Sequence, residues 1–170
     1  SGENIVELTE IARDYVTSLT EEKELETKPV SLRSTILTEV DLRREAYPEA
    51  TFIIEDDVPE VEVVANDILS SVFRNLLNNA VQHNESEDPL VTVSCEVRES
   101  HFVIAVADNG PGIPDEQKES IFGKGEKGLD SPGTGIGLYL VRSLLTQYDG
   151  SVWVEDNDPA GSVFKVELQK

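Results

Sequence analysis

Eight of the chain's eleven glycines fall between Gly110 and Gly137. Glycine in a helix or strand interior costs roughly 0.5–1 kcal/mol relative to alanine. No regular element is expected across that stretch, so it divides the chain into unlike parts. Before Gly110 and after Gly137 the apolar residues recur at helical or strand spacing. Between them a mobile loop is expected, Asn109 to Pro132, with at most short helices.

The flanking periodicities predict the rest. Ile5, Leu8, Ile11, Ala12, Tyr15, Val16 and Leu19 make a helical stripe within residues 4–26. A charged tail follows, and a linker is expected near Thr20 to Pro29. A second helix is expected over Ser34 to Ala46, ended by Pro48. Short strands follow at Thr51 to Ile54 and Val61 to Ala65. A third helix, capped by Asn66 or Asp67, carries Ile68, Leu69, Val72, Phe73, Leu76, Leu77, Ala80 and Val81 on one apolar face. Strands at Leu90 to Val97 and Phe102 to Asp108 precede the glycine-rich loop. A fourth helix, Ile136 to Tyr148, and strands Ser151 to Glu155 and Ser162 to Leu168 close the chain. This is an α/β layer pattern of one sheet with helices packed on it.

Composition narrows the function. The 170 residues suit one domain with a short appendage. The single cysteine, Cys95, excludes an internal disulfide. Acids outnumber bases 34 to 14, a formal charge of −20. That argues against nucleic acid and against anionic membrane surfaces, both of which need clustered Lys and Arg. No apolar run approaches the ~18 residues of a spanning helix. The acids are scattered, with only seven lysines, as in proteins from organisms with high internal salt. Stability is therefore expected to rise with KCl. Methionine is absent and Ser1-Gly2 reads as a processing scar, so the chain is expected to be a fragment.

Three segments carry the chemistry. In FRNLLNNAVQHN, Phe73 to Asn84, the residues Asn75, Asn79 and Gln82 fall in one narrow sector bordering the apolar face. Asparagine is a poor helix former, so three of them in five residues need a reason. Asn78 suits an exposed polar face. A carboxamide at the core edge must find partners, and its oxygen is a hard, neutral ligand suited to Mg²⁺. The ligand reading is favoured for Asn79, while for Asn75 both readings stay open. In FVIAVADNGPGIP, Asp108 continues in phase with Phe102, Ile104 and Val106 and points toward the core. It either caps the Asn109-Gly110 turn or accepts a hydrogen bond from a ligand amino group such as adenine N6. Gly110 and Gly112 would let backbone approach that ligand. In SPGTGIGLYLV, Gly133, Gly135 and Gly137 lead into a helix, a place that favours phosphate.

In that order NLLNNAVQHN, DNGPGIP, IFGKGEKG and GTGIGLYLV closely resemble the four boxes of the ATP-binding catalytic domain of sensor histidine kinases. That domain shares a superfamily with gyrase, Hsp90 and MutL. The resemblance covers about Val30 to Lys170. It implies a two-layer α/β sandwich of the Bergerat type, a mixed sheet covered on one face by helices. It implies ATP and Mg²⁺ as ligands, with Asn79 on the metal and Asp108 on adenine. Gly110 and Gly112 would line the base pocket, Gly133, Thr134, Gly135 and Gly137 would hold the phosphates, and Ile113, Ile136 and Leu138 would also bind the nucleotide. Ile113 to Pro132 would form a lid anchored by Phe122. Where the family commonly has a Lys and then an aromatic, this chain has Gln82 and His83. Gln82 could donate to phosphate without charge, and His83 could stack on the nucleotide or serve as a core-edge histidine. Lys127, with Lys124 second, is the candidate for the γ-phosphate.

Hydrolysing relatives place a water-activating Glu four residues before the metal Asn. Here that residue is Asn75, which has no useful basicity. The resemblance therefore implies phosphoryl transfer to a histidine on another module, with Asn75 and Lys127 at the reacting end. Residues 1–28 resemble the second helix of the dimerisation and phosphoacceptor hairpin plus linker, and 29–170 the catalytic domain. Neither His83 nor His101 suits an acceptor, so the chain alone is not expected to autophosphorylate. A response regulator downstream, a homodimeric full-length protein, a monomeric fragment and a cytoplasmic location are expected. An ATP-hydrolysing relative and a non-catalytic nucleotide sensor are the alternatives.

Overall fold

A computed structural model of the chain describes residues 26–123 and 137–170. The expected helix at residues 4–26 and most of the linker lie outside them, as do Lys124, Lys127, Gly133, Thr134, Gly135 and Ile136. The described chain forms β1 (Lys28–Ser31), α1 (Leu32–Ala46), β2 (Thr51–Ile54), β3 (Glu62–Ala65) and α2 (Leu69–Gln82). Then come β4 (Leu90–Val97), β5 (His101–Asp108), two 3₁₀ turns (Asp115–Gln117 and Ser120–Phe122), α3 (Gly137–Gln147), β6 (Ser151–Asp156) and β7 (Ser162–Gln169).

Two sheets result. The larger has strand order β2-β4-β5-β7-β6, and β1 pairs with β3 in a separate ribbon. β2 runs parallel to β4, and every other neighbour pair is antiparallel. The sheet is therefore mixed, as expected. Period-two alternation sorts its side chains by face. Phe52, Val91, Val93, Phe102, Ile104, Val106, Phe164, Val166 and Leu168 point to one side and are buried. They form one cluster with Leu32, Ile36 and Val40 of α1, the apolar stripe of α2, and Leu140, Val141, Leu144 and Leu145 of α3. Each helix thus buries one face against the same side of the sheet.

Local chemistry sets the ends. Ser31 caps α1 by accepting from Ser34 N–H at 3.2 Å, so α1 begins two residues before the expected Ser34. α2 begins at Leu69, not at an Asn66 or Asp67 cap. The Asn66 carboxamide instead turns the chain ahead of the helix by accepting from Ile68 N–H at 3.0 Å. It also accepts from the buried Tyr148 hydroxyl at 2.5 Å, which links the start of α2 to the end of α3. α3 ends with Asp149 at φ 58°. Gly150 N–H then returns to Leu145 C=O at 2.7 Å, which satisfies a last-turn carbonyl with an aspartate in the left-handed position that glycine usually takes.

Two expectations are corrected. β1 was not foreseen, and Lys28 and Pro29, expected in the linker, pair with Ala65 and Val64. Asn78 is not on an exposed face, being only 7% exposed. Its Oδ1 accepts from Arg43 Nη1 at 3.2 Å and from the Tyr47 hydroxyl at 3.3 Å. Helical phase alone put Asn78 toward solvent. The packing of α1 on that flank covers it.

Candidate functional site

α2 and the residue capping its C-terminus lay Asn75, Asn79 and His83 along one line, each four residues from the next, a span of ~12 Å at 1.5 Å per residue. The two ends of that line meet different parts of the chain. At the lower end, Asn75 is 8% exposed and donates from Nδ2 to Ser71 C=O at 2.7 Å. Its Oδ1 faces the first residue of α3, where a Cβ added to Gly137 would lie 3.0 Å away. At the upper end, His83 lies within electrostatic range of Asp108. The middle residue, Asn79, is half-buried. Among the described residues, no group is hydrogen-bonded to its carboxamide.

Asp108 ends β5 opposite Val91, so it belongs to the inward row of side chains and is 8% exposed. Its Oδ1 accepts from Gly110 N–H at 2.9 Å and Ser162 N–H at 3.2 Å. Both amides fall on one oxygen, and among the described residues no donor reaches the other. The turn-capping and ligand-acceptor roles are therefore compatible, since each uses a different oxygen. Burial raises the Asp108 pKa, opposed by the two amides and by His83. Burial likewise lowers the His83 pKa, opposed by the Asp108 charge. Desolvation disfavours the charged form of each, which keeps His83 neutral at pH 7.

Close packing surrounds the acid. Gly112 adopts φ +83°, and Gly161 adopts φ +102°. A Cβ on Gly161 would lie 1.9 Å from the Asp108 carbonyl oxygen. That carbonyl also accepts from Asn157 Nδ2 at 2.8 Å. Asn109 ties the turn to the segment after α2. Its Oδ1 accepts from Asn84 Nδ2 at 2.7 Å and Leu90 N–H at 2.9 Å, and its Nδ2 donates to Asp88 C=O at 3.1 Å. Lys118 binds Ile113 C=O at 2.7 Å and Asp156 at 2.9 Å, fastening the first 3₁₀ turn to the end of β6.

Among the expected site residues, Asp108, Gly110, Gly112 and His83 surround one end of the α2 ridge, and Asn75 meets Gly137 at the other. Phe122 is buried, edge-on to Phe164 with ring centroids 6.1 Å apart. Ile113 and Leu138 are half-buried against the core. Gln82 turns to the flank of the ridge and donates to the Tyr47 hydroxyl at 3.2 Å. A cleft of about 390 Å³ lies elsewhere, between α3, β6 and Phe122. Sequence reasoning missed Asn109, Lys118, Asn157, Gly161 and Ser162. The turn residues in Asn157 to Gly161 signalled a hairpin, but not that it folds over Asp108.

The family described as histidine kinase-, DNA gyrase B-, and HSP90-like ATPase matches residues 64–170. The C4-dicarboxylate transport sensor protein DctB of Rhizobium meliloti (strain 1021) is 30% identical over 175 residues, covering 99% of this chain and 28% of that protein. The solved catalytic domain of histidine kinase ThkA, in a nucleotide-free form, superposes with a TM-score of 0.77 at 27% identity, covering 86% of this chain and 97% of that one. ThkA in complex with response regulator protein TrrA gives 0.73 at 26% identity, covering 98% and 49%. The chain spans between 19% and 34% of the length of the first curated relatives it matches. It belongs to the histidine kinase-, DNA gyrase B-, and HSP90-like ATPase family, as an ATP-binding catalytic domain of the histidine-kinase type.

Proposed function

We propose that this domain binds ATP with Mg²⁺ and transfers the γ-phosphoryl group to a histidine on a separate helical module. One observation carries the reading: a buried carboxylate, Asp108, with one oxygen left for a ligand, at one end of a ridge whose middle amide, Asn79, has no partner among the described residues. Adenine would donate its amino group to Asp108. The triphosphate would then run along α2 past Asn79 toward Asn75 and Gly137.

The donor set fits magnesium. Among the described residues no group of three or more His, Cys, Asp or Glu side chains could hold a metal. A single neutral amide oxygen leaves the remaining positions to phosphate oxygens and water, the arrangement Mg²⁺ favours. When bound, the ion offsets the charge on the phosphates. Asn75 supports transfer over hydrolysis. Its carboxamide is held between Ser71 and Gly137 and cannot take a proton from water. In the transfer, an imidazole nitrogen bonds to the γ-phosphorus as the bond to the ADP oxygen breaks, and the imidazole proton leaves to a base on the acceptor module. Catalysis is then mostly positioning and charge neutralisation. Lys127, with Lys124 second, would meet the γ-phosphate.

The residues before β1 would be the tail of the hairpin that carries the acceptor, together with its linker, in the full protein, itself a homodimer. ThkA has been solved with response regulator protein TrrA, and a response regulator downstream is inferred here too. Because it would draw on ATP, the domain is inferred to work in the cytoplasm. The excess of acids fits a high-salt cell. The test supplies a phosphoacceptor hairpin in trans with ATP and Mg²⁺. The wild-type chain should generate acid-labile phosphohistidine on the hairpin and none on itself, and Asn79→Ala should abolish the transfer. Labelling of the isolated chain, or transfer by Asn79→Ala at the wild-type rate, would contradict the assignment.

A further inference from the structure

We propose that Arg43, on α1, supplies positive charge to the triphosphate where it passes Asn79, in the C-terminal half of α2, and that Asn78, itself bonded by Tyr47, holds Arg43 there. The inference rests on the ATP-binding reading above.

That end of α2 is a poor place for an anion. The helix dipole leaves partial negative charge there, and the last turn has no basic residue. The one cation of α2, Arg74, faces the buried Glu39 at 3.7 Å. Gln82 is neutral and gives its Nε2 to the Tyr47 hydroxyl. Arg43 reaches the same region from the neighbouring helix. Its Nη1 donates to Asn78 Oδ1 at 3.2 Å, and the Tyr47 hydroxyl donates to the same oxygen at 3.3 Å. Tyr47 in turn accepts from Gln82, so a continuous chain of bonds runs from Arg43 to the flank of the ridge. Asn78 directly precedes Asn79, the residue proposed to hold the metal.

Arg43 also differs from most cations among the described residues. Arg33 faces Asp57 at 3.0 Å and Arg98 faces Glu96 at 2.7 Å. Among the described residues, no carboxylate pairs with Arg43, and its buried Nε has no hydrogen-bond partner. In a chain with 34 acids, an arginine held only by an amide keeps its whole charge. Salt screens exposed charges beyond about 10 Å at ~0.1 M and partly buried charges much less. Arg43 is thus a positioning and charge-supplying residue, and no direct contact with phosphate is required.

The test measures ATP, ADP and adenosine binding to the full chain by calorimetry, at about 0.05 M and about 0.5 M KCl. Arg43→Gln should lower ATP affinity about five- to tenfold at low salt. ADP should lose less, adenosine nothing, and the deficit should shrink at high salt. Arg43→Lys should bind ATP within about twofold of wild type, because the charge is kept. The proposal is overturned if Arg43→Gln binds ATP like wild type at low salt. It is also overturned if adenosine is lost in proportion, which marks a purely structural role, or if Arg43→Lys is as weak as Arg43→Gln. A wild-type chain that binds neither ATP nor adenosine would instead overturn the ATP reading itself, and this inference with it.

Discussion

At the scale of single residues, Asp108 sets function against stability. Its carboxylate is buried, which raises its pKa above that of the unfolded chain. A raised carboxyl pKa means the folded state holds that proton more tightly. The contribution is fully present below the unfolded value, ~3.9, and is lost as pH rises through the folded value. Asparagine keeps an oxygen for the Gly110 and Ser162 amides but carries no charge to desolvate. Asp108→Asn should therefore melt at a higher temperature than wild type near pH 7, with the gap closing as pH falls through the carboxylate range. The same variant should lose its preference for adenine nucleotides, because its second position is now a donor. Thermal melts across pH, paired with ATP and GTP titrations, check both effects. A wild-type ATP affinity in Asp108→Asn would remove Asp108 from the base pocket. The phase of β5 made this aspartate legible in the sequence. The division of labour between its two oxygens was not, because it depends on Ser162, which is 54 residues away.

At the scale of elements, the β6–β7 hairpin matters more than its turn composition suggests. It folds back over the end of β5, where Asn157 donates to the Asp108 carbonyl and Gly161 packs against the same oxygen. Gly161→Ala would place a Cβ 1.9 Å from that oxygen at φ +102°. Backbone must move, so a cost of about 2–4 kcal/mol is expected. Because the displaced carbonyl belongs to Asp108, nucleotide affinity should fall as well. Urea unfolding of Gly161→Ala, with ATP titration of the folded fraction, measures both. A loss under about 1 kcal/mol would mean the turn relaxes without disturbing β5. The helices tell a complementary story. The periodicity of α2 correctly foretold its apolar face, but helical phase cannot say which polar residues a neighbouring helix will cover. Asn78 lies under Arg43 and Tyr47 for that reason.

At the scale of the whole molecule, net charge is the dominant long-range term. A charge of −20 on 170 residues repels itself in the compact state. Salt shortens the reach of that repulsion from ~30 Å at 0.01 M to ~3 Å at 1 M. The melting temperature should rise by more than about 5 °C between those two KCl concentrations, which differential scanning calorimetry would register. A flat response would mean the acids are locally compensated, as Asp57 and Glu96 are by Arg33 and Arg98, and would remove the argument for a high-salt cell.

The amino-acid order alone determined the alternation of helices and strands, the inward phase of Asp108 and the amide-rich edge of α2. Each of these is a local periodicity of 2.0 or 3.6 residues, legible without knowing what lies opposite. Tertiary structure alone decided what those groups meet. It paired β1 with β3 across more than thirty residues, brought Gly161 and Ser162 onto Asp108, and set Arg43 beside Asn78. Such contacts depend on strand register and helix packing, which are properties of the assembled layers, and no segment carries them by itself.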